Sequence, residues 1–233
     1  MFFVDRKIGY IGAMPRPRLE DAKARLLAAG LSLFSKLGTE RVNSNAIARR
    51  AKLGVGTFYA HYEDKYALLQ EIQMRTLTGL RDVRIAAVRR ADPAPEAQAR
   101  AAIVSVIRFA AQHPQAYRVT LGRERAGATR HRPIVSESTR PTAEVLRRLQ
   151  SEGRVDPNLN VDLASRAYAA SEVGTLLWWL DDPDRGDADE LAETLLRLHP
   201  VVACRVPRAR ANGAKGSSAS VESGQDAGSS PQR

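Results

Sequence analysis

Cysteine is almost absent: Cys204 stands alone among 233 residues, which excludes a disulfide framework within the chain and any zinc site built from several cysteines. Aromatic residues make up only 6%, too few for the ring platforms on which single-stranded nucleic acid stacks. No apolar run approaches the roughly 20 residues that cross a bilayer. Met1–Ala13 is interrupted by Asp5, Arg6 and Lys7 where a secretory signal needs a continuous apolar stretch. A cytoplasmic protein without membrane association is therefore expected. A Gly-x-x-x-x-Gly-Lys phosphate loop and a nucleophile elbow are also missing. His113, Glu124 and His131 lie near one another in sequence but not at metal-ligand spacing. The sequence thus implies no enzyme, no cofactor and no metal.

What is present is positive charge and helical patterning. The net charge of +10 is unevenly spread: residues 1–66 carry twelve Lys and Arg against six Asp and Glu, residues 67–204 nineteen against eighteen, and residues 205–233 five against two. A basic N-terminal segment suits a polyanion, because Lys and Arg that neutralise phosphates release condensed counterions; a merely solubilising surface is the alternative. Residues 205–233, rich in Ser, Gly, Ala and basic residues without apolar periodicity, read as a disordered tail.

Between the ends, apolar residues recur every three or four positions, and no segment alternates as a strand would. The expected class is all-α with about nine helices. Leu19, Ala22, Leu26, Ala29, Leu33 and Leu37 trace the first helix, which Gly38 ends. A short helix follows an Asn43 cap, and another spans about Val55 to Tyr62. Asp64 caps a helix about 35 Å long at 1.5 Å per residue, with the stripe Leu69, Ile72, Thr76, Leu80, Val83 and Ala87. Proline-marked breaks then give helices over 95–112, 115–125 and 133–152, the last expected to kink or split at Pro141. Two more are expected over 162–180 and 187–203.

Residues 44–62 hold two short helices joined by a turn of about four residues, the layout of a helix-turn-helix. Ile47, Ala51, Leu53 and Phe58 supply packing positions, and small Ala48 allows the two helices to cross closely. That leaves Val55, Gly56, Thr57, Tyr59, Ala60 and His61 as the outward surface of the second helix. Spacing alone leaves two readings, a DNA-reading motif and a structural helical hairpin.

Ala-Ile-Ala-Arg-Arg-Ala at 46–51, Val-Gly-Thr-Phe-Tyr at 55–59, His61-Tyr62, Asp64-Lys65 and Leu68-Leu69 resemble the N-terminal signature of the TetR family of bacterial transcription regulators, over about Leu19–Leu69. The resemblance implies an N-terminal three-helix DNA-binding domain over 19–66, after a basic arm at 1–18, and a larger helical effector-binding and dimerisation domain over 67–204. It further implies a homodimer that sets its third helices into the major groove of a palindromic operator. Carried over by position, Ser44 and Asn45 contact phosphate or a base edge, and Val55, Gly56, Thr57, Tyr59, Ala60 and His61 form the reading surface. Thr57 and Tyr59 fall on phosphate, and Val55 suits a thymine methyl. His61 reads a base or clamps the backbone, Tyr62 packs, and Lys65 with its helix N-terminus holds a phosphate. The chain departs from the pattern at Lys52, where the family usually has glycine at a turn position of positive φ; a turn rearranged around Gly54 is one expected consequence.

In the second half, Leu163, Ala167, Ala170, Gly174 and Leu177 form one stripe, and Leu191, Leu195, Leu198 and Val202 another. Two such helices from each subunit would build a four-helix dimer interface, and packing inside the subunit is the alternative. The resemblance implies that the middle helices enclose a small apolar or amphipathic effector. Candidate lining residues are Ile107, Tyr117, Leu121, Trp178 and Trp179, with Arg118, Glu124 and Arg125 as polar contacts. The expected activity is ligand-released repression, with a non-specific nucleic-acid-binding or nucleoid-associated protein as the rival.

Overall fold

The computed structural model describes residues 19–122, 132–182 and 184–206, with side chains from residue 21 and, in the second stretch, from residue 139. The arm at 1–18, Glu124, Arg125 and residues 207–233 lie outside it. The described residues form ten helices: α1 (Leu19–Leu37), α2 (Ser44–Arg50), α3 (Val55–His61), α4 (Lys65–Arg90), α5 (Pro95–Gln112), α6 (Pro114–Leu121), α7 (Arg132–Ser151), α8 (Val161–Leu180), α9 (Ala188–Leu198) and α10 (Pro200–Ala203). The only sheet-like pairing among them is one bridge between Val155 and Arg205.

Local chemistry explains most boundaries. Gly38, at φ 76°, closes α1 by returning its N–H to the Phe34 carbonyl at 3.0 Å. Asn43 Oδ1 accepts from the Ala46 N–H at 2.8 Å to open α2, and Asp64 Oδ1 accepts from both Tyr66 and Ala67 at 2.8 Å to open α4. Prolines stand in the first turns of α5, α6 and α10, where a missing N–H costs nothing. One helix expected over 187–203 is in fact two, because Pro200 cannot donate to the helix and His199 turns to an extended ψ of 131°. Pro141 does not split α7, which runs on through it. Arg205 and Val206, assigned above to a tail, pair with Val155 and Arg154.

The apolar residues collect into three clusters. The first joins Leu26, Phe34, Ile47, Phe58 and Leu68 from α1 to α4. The second joins Ile103, Ile107, Tyr117, Leu176 and Leu195 from α5, α6, α8 and α9. A smaller third joins Leu146, Leu149, Val155, Val161 and Val201. The stripe of α1 ends on buried Phe34, while Leu37 is half exposed. Gly30 lets α1 and α4 meet closely, since a Cβ there would stand 2.4 Å from Leu68 Cδ2. Helix α6 belongs to both main clusters, with Val119 packed on the first and Tyr117 and Leu121 in the second.

Candidate nucleic-acid interface and a polar cavity behind it

Lys52 takes φ 55°, so the left-handed conformation is kept and glycine is replaced; Gly54 keeps an ordinary φ of −67° and the turn is not rearranged around it. Two hydrogen bonds hold the turn, Leu53 N–H to the Ala48 carbonyl at 2.9 Å and Lys52 N–H to the Arg49 carbonyl at 3.0 Å, the paired closure of a Schellman motif. Arg25 on α1 adds a guanidinium that donates to the Ala51 carbonyl at 2.6 Å and the Lys52 carbonyl at 3.0 Å. A side chain in this conformation costs about 1 kcal/mol, which charge-assisted bonds to two carbonyls offset.

Behind the turn, Phe58 is fully buried and anchors α3. The opposite face is open: Val55 is 43% and Tyr59 58% exposed, and Gly56 and Ala60 are exposed as well. A Cβ at Gly56 would meet nothing within 4 Å, so packing inside the chain gives no reason for glycine in this helix. Thr57 and His61 are half-buried, and His61 Nε2 is buried without a hydrogen-bond partner. On α2, Ser44 is half-buried and Asn45 exposed, while Arg49 and Lys52, not among the expected contacts, add exposed charge around the turn.

Lys65 does not stand free for a phosphate. Its Nζ donates to the Thr39 carbonyl at 2.9 Å and the Glu40 carbonyl at 3.2 Å, tying the start of α4 to the loop after α1. Tyr62 packs as expected, and its hydroxyl also donates to Glu71 Oε2 at 3.0 Å. Burial works against ionisation of Glu71, but bonds from Lys23, Arg75 and Tyr62 outweigh it and hold the carboxyl below its usual range. This carboxylate links α1, the end of α3 and α4.

The expected effector contacts are placed elsewhere. Ile107 and Tyr117 are 3% and 1% exposed in the second core cluster, where Leu121 also packs, and none of the three borders a cavity described here. Arg118 caps the end of α8, bonding the Leu180 carbonyl and, at 3.2 Å, Asp181. Trp178 is 53% exposed beneath the Arg185 guanidinium, and Trp179 donates to the Gly186 carbonyl at 2.9 Å. Both tryptophans stand in the last turn of α8 and bind the turn that follows it, and Trp179 also packs on the second cluster.

A cavity of about 40 Å³ opens instead between α4, α5, α7, α8 and His199. Arg84 Nη2 donates to Glu172 Oε2 at 3.0 Å across it, Tyr168 stands beside them, and the rings of Tyr168 and His199 meet edge to face at 4.5 Å. Burial first, and Arg84 second, lower the His199 pKa to about 4, so its imidazole is neutral. A signal for this site was in the sequence, since Ser165, Tyr168, Glu172 and Leu176 also recur at helical spacing. Their polarity disguised them as a solvent face.

For the dimer stripe, Leu191 and Leu195 are 7% and 0% exposed inside the subunit, so those two pack on its own core and are not available to a partner. Leu163 and Leu198 are 64% and 58% exposed, Ala167, Ala170 and Gly174 are exposed, and Leu177 and Val202 are half-buried.

A helix-turn-helix with an open second helix, set on a larger helical bundle, defines the class. Residues 26–72 match the family model described as bacterial regulatory proteins, tetR family. No curated protein gives a significant match. Native NalD of Pseudomonas aeruginosa, the secondary repressor of the MexAB-OprM multidrug efflux pump, superposes with a TM-score of 0.66 at 22% identity, over 82% of this chain and 100% of its own. FadR of Bacillus subtilis in complex with stearoyl-CoA gives 0.64 at 16%, over 77% and 98%. FadR of Bacillus halodurans, a fatty acid degradation regulator, gives 0.64 at 16%, over 76% and 93%. The family model thus covers the segment from α1 to the first turns of α4, and the whole chain shares the fold of these solved regulators. Among the described residues no helix is long and apolar enough to cross a membrane.

Proposed function

We propose that this protein is a homodimeric, ligand-responsive repressor that acts in the cytoplasm and binds a palindromic operator through α3. The observation that carries this reading is the two-sided character of α3. Phe58 locks it to the core, while Val55, Gly56, Tyr59 and Ala60 face outward, Tyr59 meeting the neighbouring Phe58 ring edge to face. Glycine where nothing inside the chain requires it is what close approach to a groove asks for.

The outward stripe of α8, with Leu198, is the dimer surface in this reading, and it sets the separation of the two α3 helices. Helix α6 supports coupling between effector and DNA, since it packs on both core clusters and holds the end of α8 through Arg118. An effector that binds one conformer better by about 1–3 kcal/mol changes operator affinity by about 5–150-fold.

Fluorescence anisotropy with DNA from upstream of the coding region, against a shuffled duplex over a salt series, tests this. Sequence-dependent binding that Tyr59→Ala weakens about tenfold in a folded dimer supports it. Equal, steeply salt-dependent binding to both duplexes, unchanged by Tyr59→Ala, would instead support a non-specific nucleic-acid-binding protein.

A further inference from the structure

Tyr168 is 8% exposed, borders the cavity, and its hydroxyl has no hydrogen-bond partner. A buried hydroxyl left unpaired is destabilising, and phenylalanine would fill the same space without that penalty. Around it Arg84 and His199 stand as donors, Glu172 and Ser165 as acceptors, and the Thr139 and Thr142 hydroxyls can serve as either. Arg84 spends one N–H on Glu172 and has others to offer. His199 Nδ1 accepts from the Val201 N–H at 3.2 Å, which puts the proton of the neutral ring on Nε2. Ser165 gives its proton to the Val161 carbonyl at 2.7 Å and is left as an acceptor.

Charge narrows the choice. Arg84 and Glu172 cancel, and His199 is neutral. A carboxylate entering here would leave an uncompensated negative charge beside Glu172, and an amine would stand against Arg84. A neutral acceptor meets the donors without upsetting the pair. At about 40 Å³ the cavity has room for one polar group rather than a whole molecule, and Ala102, Ile103 and Ala169 give part of its wall an apolar character.

We propose that this cavity is the head-group subsite of the effector and takes a neutral carbonyl oxygen of a ketone, ester or amide on an apolar body, with the Tyr168 hydroxyl as donor. The inference rests on the ligand-responsive reading above.

The test uses the full chain and four probes of equal length, hexanone, hexanoate, hexylamine and hexane, with binding followed by ligand-observed NMR. Hexanone is expected to bind most tightly, and Tyr168→Phe to raise its dissociation constant about tenfold while leaving the thermal stability of the unliganded protein unchanged or higher. Tightest binding of hexanoate, hexylamine or hexane overturns the proposal, and that ranking needs no variant. No binding of hexanone, or equal binding by Tyr168→Phe, overturns it as well. Anisotropy on operator DNA separates the two layers. Hexanone that binds through Tyr168 without changing DNA affinity upholds the subsite and counts against ligand control. Release of DNA by hexanone in the Tyr168→Phe protein upholds ligand control and overturns the subsite.

Discussion

Helices α8 and α9 are consecutive in the chain and follow different rules. In α9 the buried face is Leu191, Ala192, Leu195 and Leu196, and the charged residues Asp189, Glu190, Glu193 and Arg197 lie off it. In α8 the buried face includes Ser165, Tyr168 and Glu172, while Leu163, Ala167, Ala170, Gly174 and Trp178 are exposed. A helix that is polar inside and apolar outside is unfavourable for a lone subunit on both counts. The outer face becomes favourable against a second apolar surface, the inner one around a ligand that accepts from the unpartnered Tyr168 hydroxyl. Apart from exposed Leu198, α9 buries its apolar residues within the chain, whereas in the proposed reading α8 is completed by what it binds.

Breaking the outer face should have the largest effect. A Cβ at Gly174 would meet nothing within 4 Å, so Gly174→Arg leaves the subunit's packing intact and even favours the helix by about 1 kcal/mol. In a dimer packed through this face, the added guanidinium is buried against its own copy. Sedimentation should then show a folded monomer, and operator affinity should fall about a hundredfold as one half-site is lost. A dimer that persists in Gly174→Arg would move the interface elsewhere.

The inner face can be probed by acid. The His199 pKa falls from 6.5 in the unfolded chain to about 4 in the folded one, so between those values the unfolded state binds the proton first. Stability contributed by this group is full above pH 6.5 and is lost as pH falls towards 4, by about 3 kcal/mol in all. Urea unfolding at several pH values should show that slope in the wild type and a shallower one in His199→Phe. Equal slopes would mean that the imidazole is not held neutral by burial beside Arg84.

The same contrast explains what could be read in advance. The helices of the N-terminal half follow from caps and apolar spacing, because Asn43, Asp64 and Phe58 act locally and their partners are near in sequence. The α8 stripe Leu163, Ala167, Ala170 and Gly174 lies exposed, whereas Leu191 and Leu195 of the α9 stripe turn to the subunit's own core, since periodicity finds a stripe without saying whether core or partner covers it. The pairing of Arg84 with Glu172 joins residues 88 apart, a tertiary fact that no local pattern carries. Lys65 and Arg118 read as ligand contacts because both are cationic, yet Lys65 bonds carbonyls of the loop after α1 and Arg118 the last carbonyl of α8.

The smallest effect concerns the turn that positions α3. Lys52 holds φ 55° where glycine would sit without strain, and Arg25 bonds the carbonyls on either side of the departure. Lys52→Gly should relieve about 1 kcal/mol of backbone strain, less what glycine's extra freedom in the unfolded chain takes back. A net gain of about 0.5 kcal/mol in urea unfolding is therefore expected. Because the Schellman bonds use backbone atoms alone, the angle between α2 and α3 should be preserved. DNA affinity should then change only by the loss of one exposed charge, seen as a salt dependence shallower by about one phosphate contact per subunit. A Lys52→Gly protein that loses stability would show that the lysine side chain, and not Arg25, holds the turn.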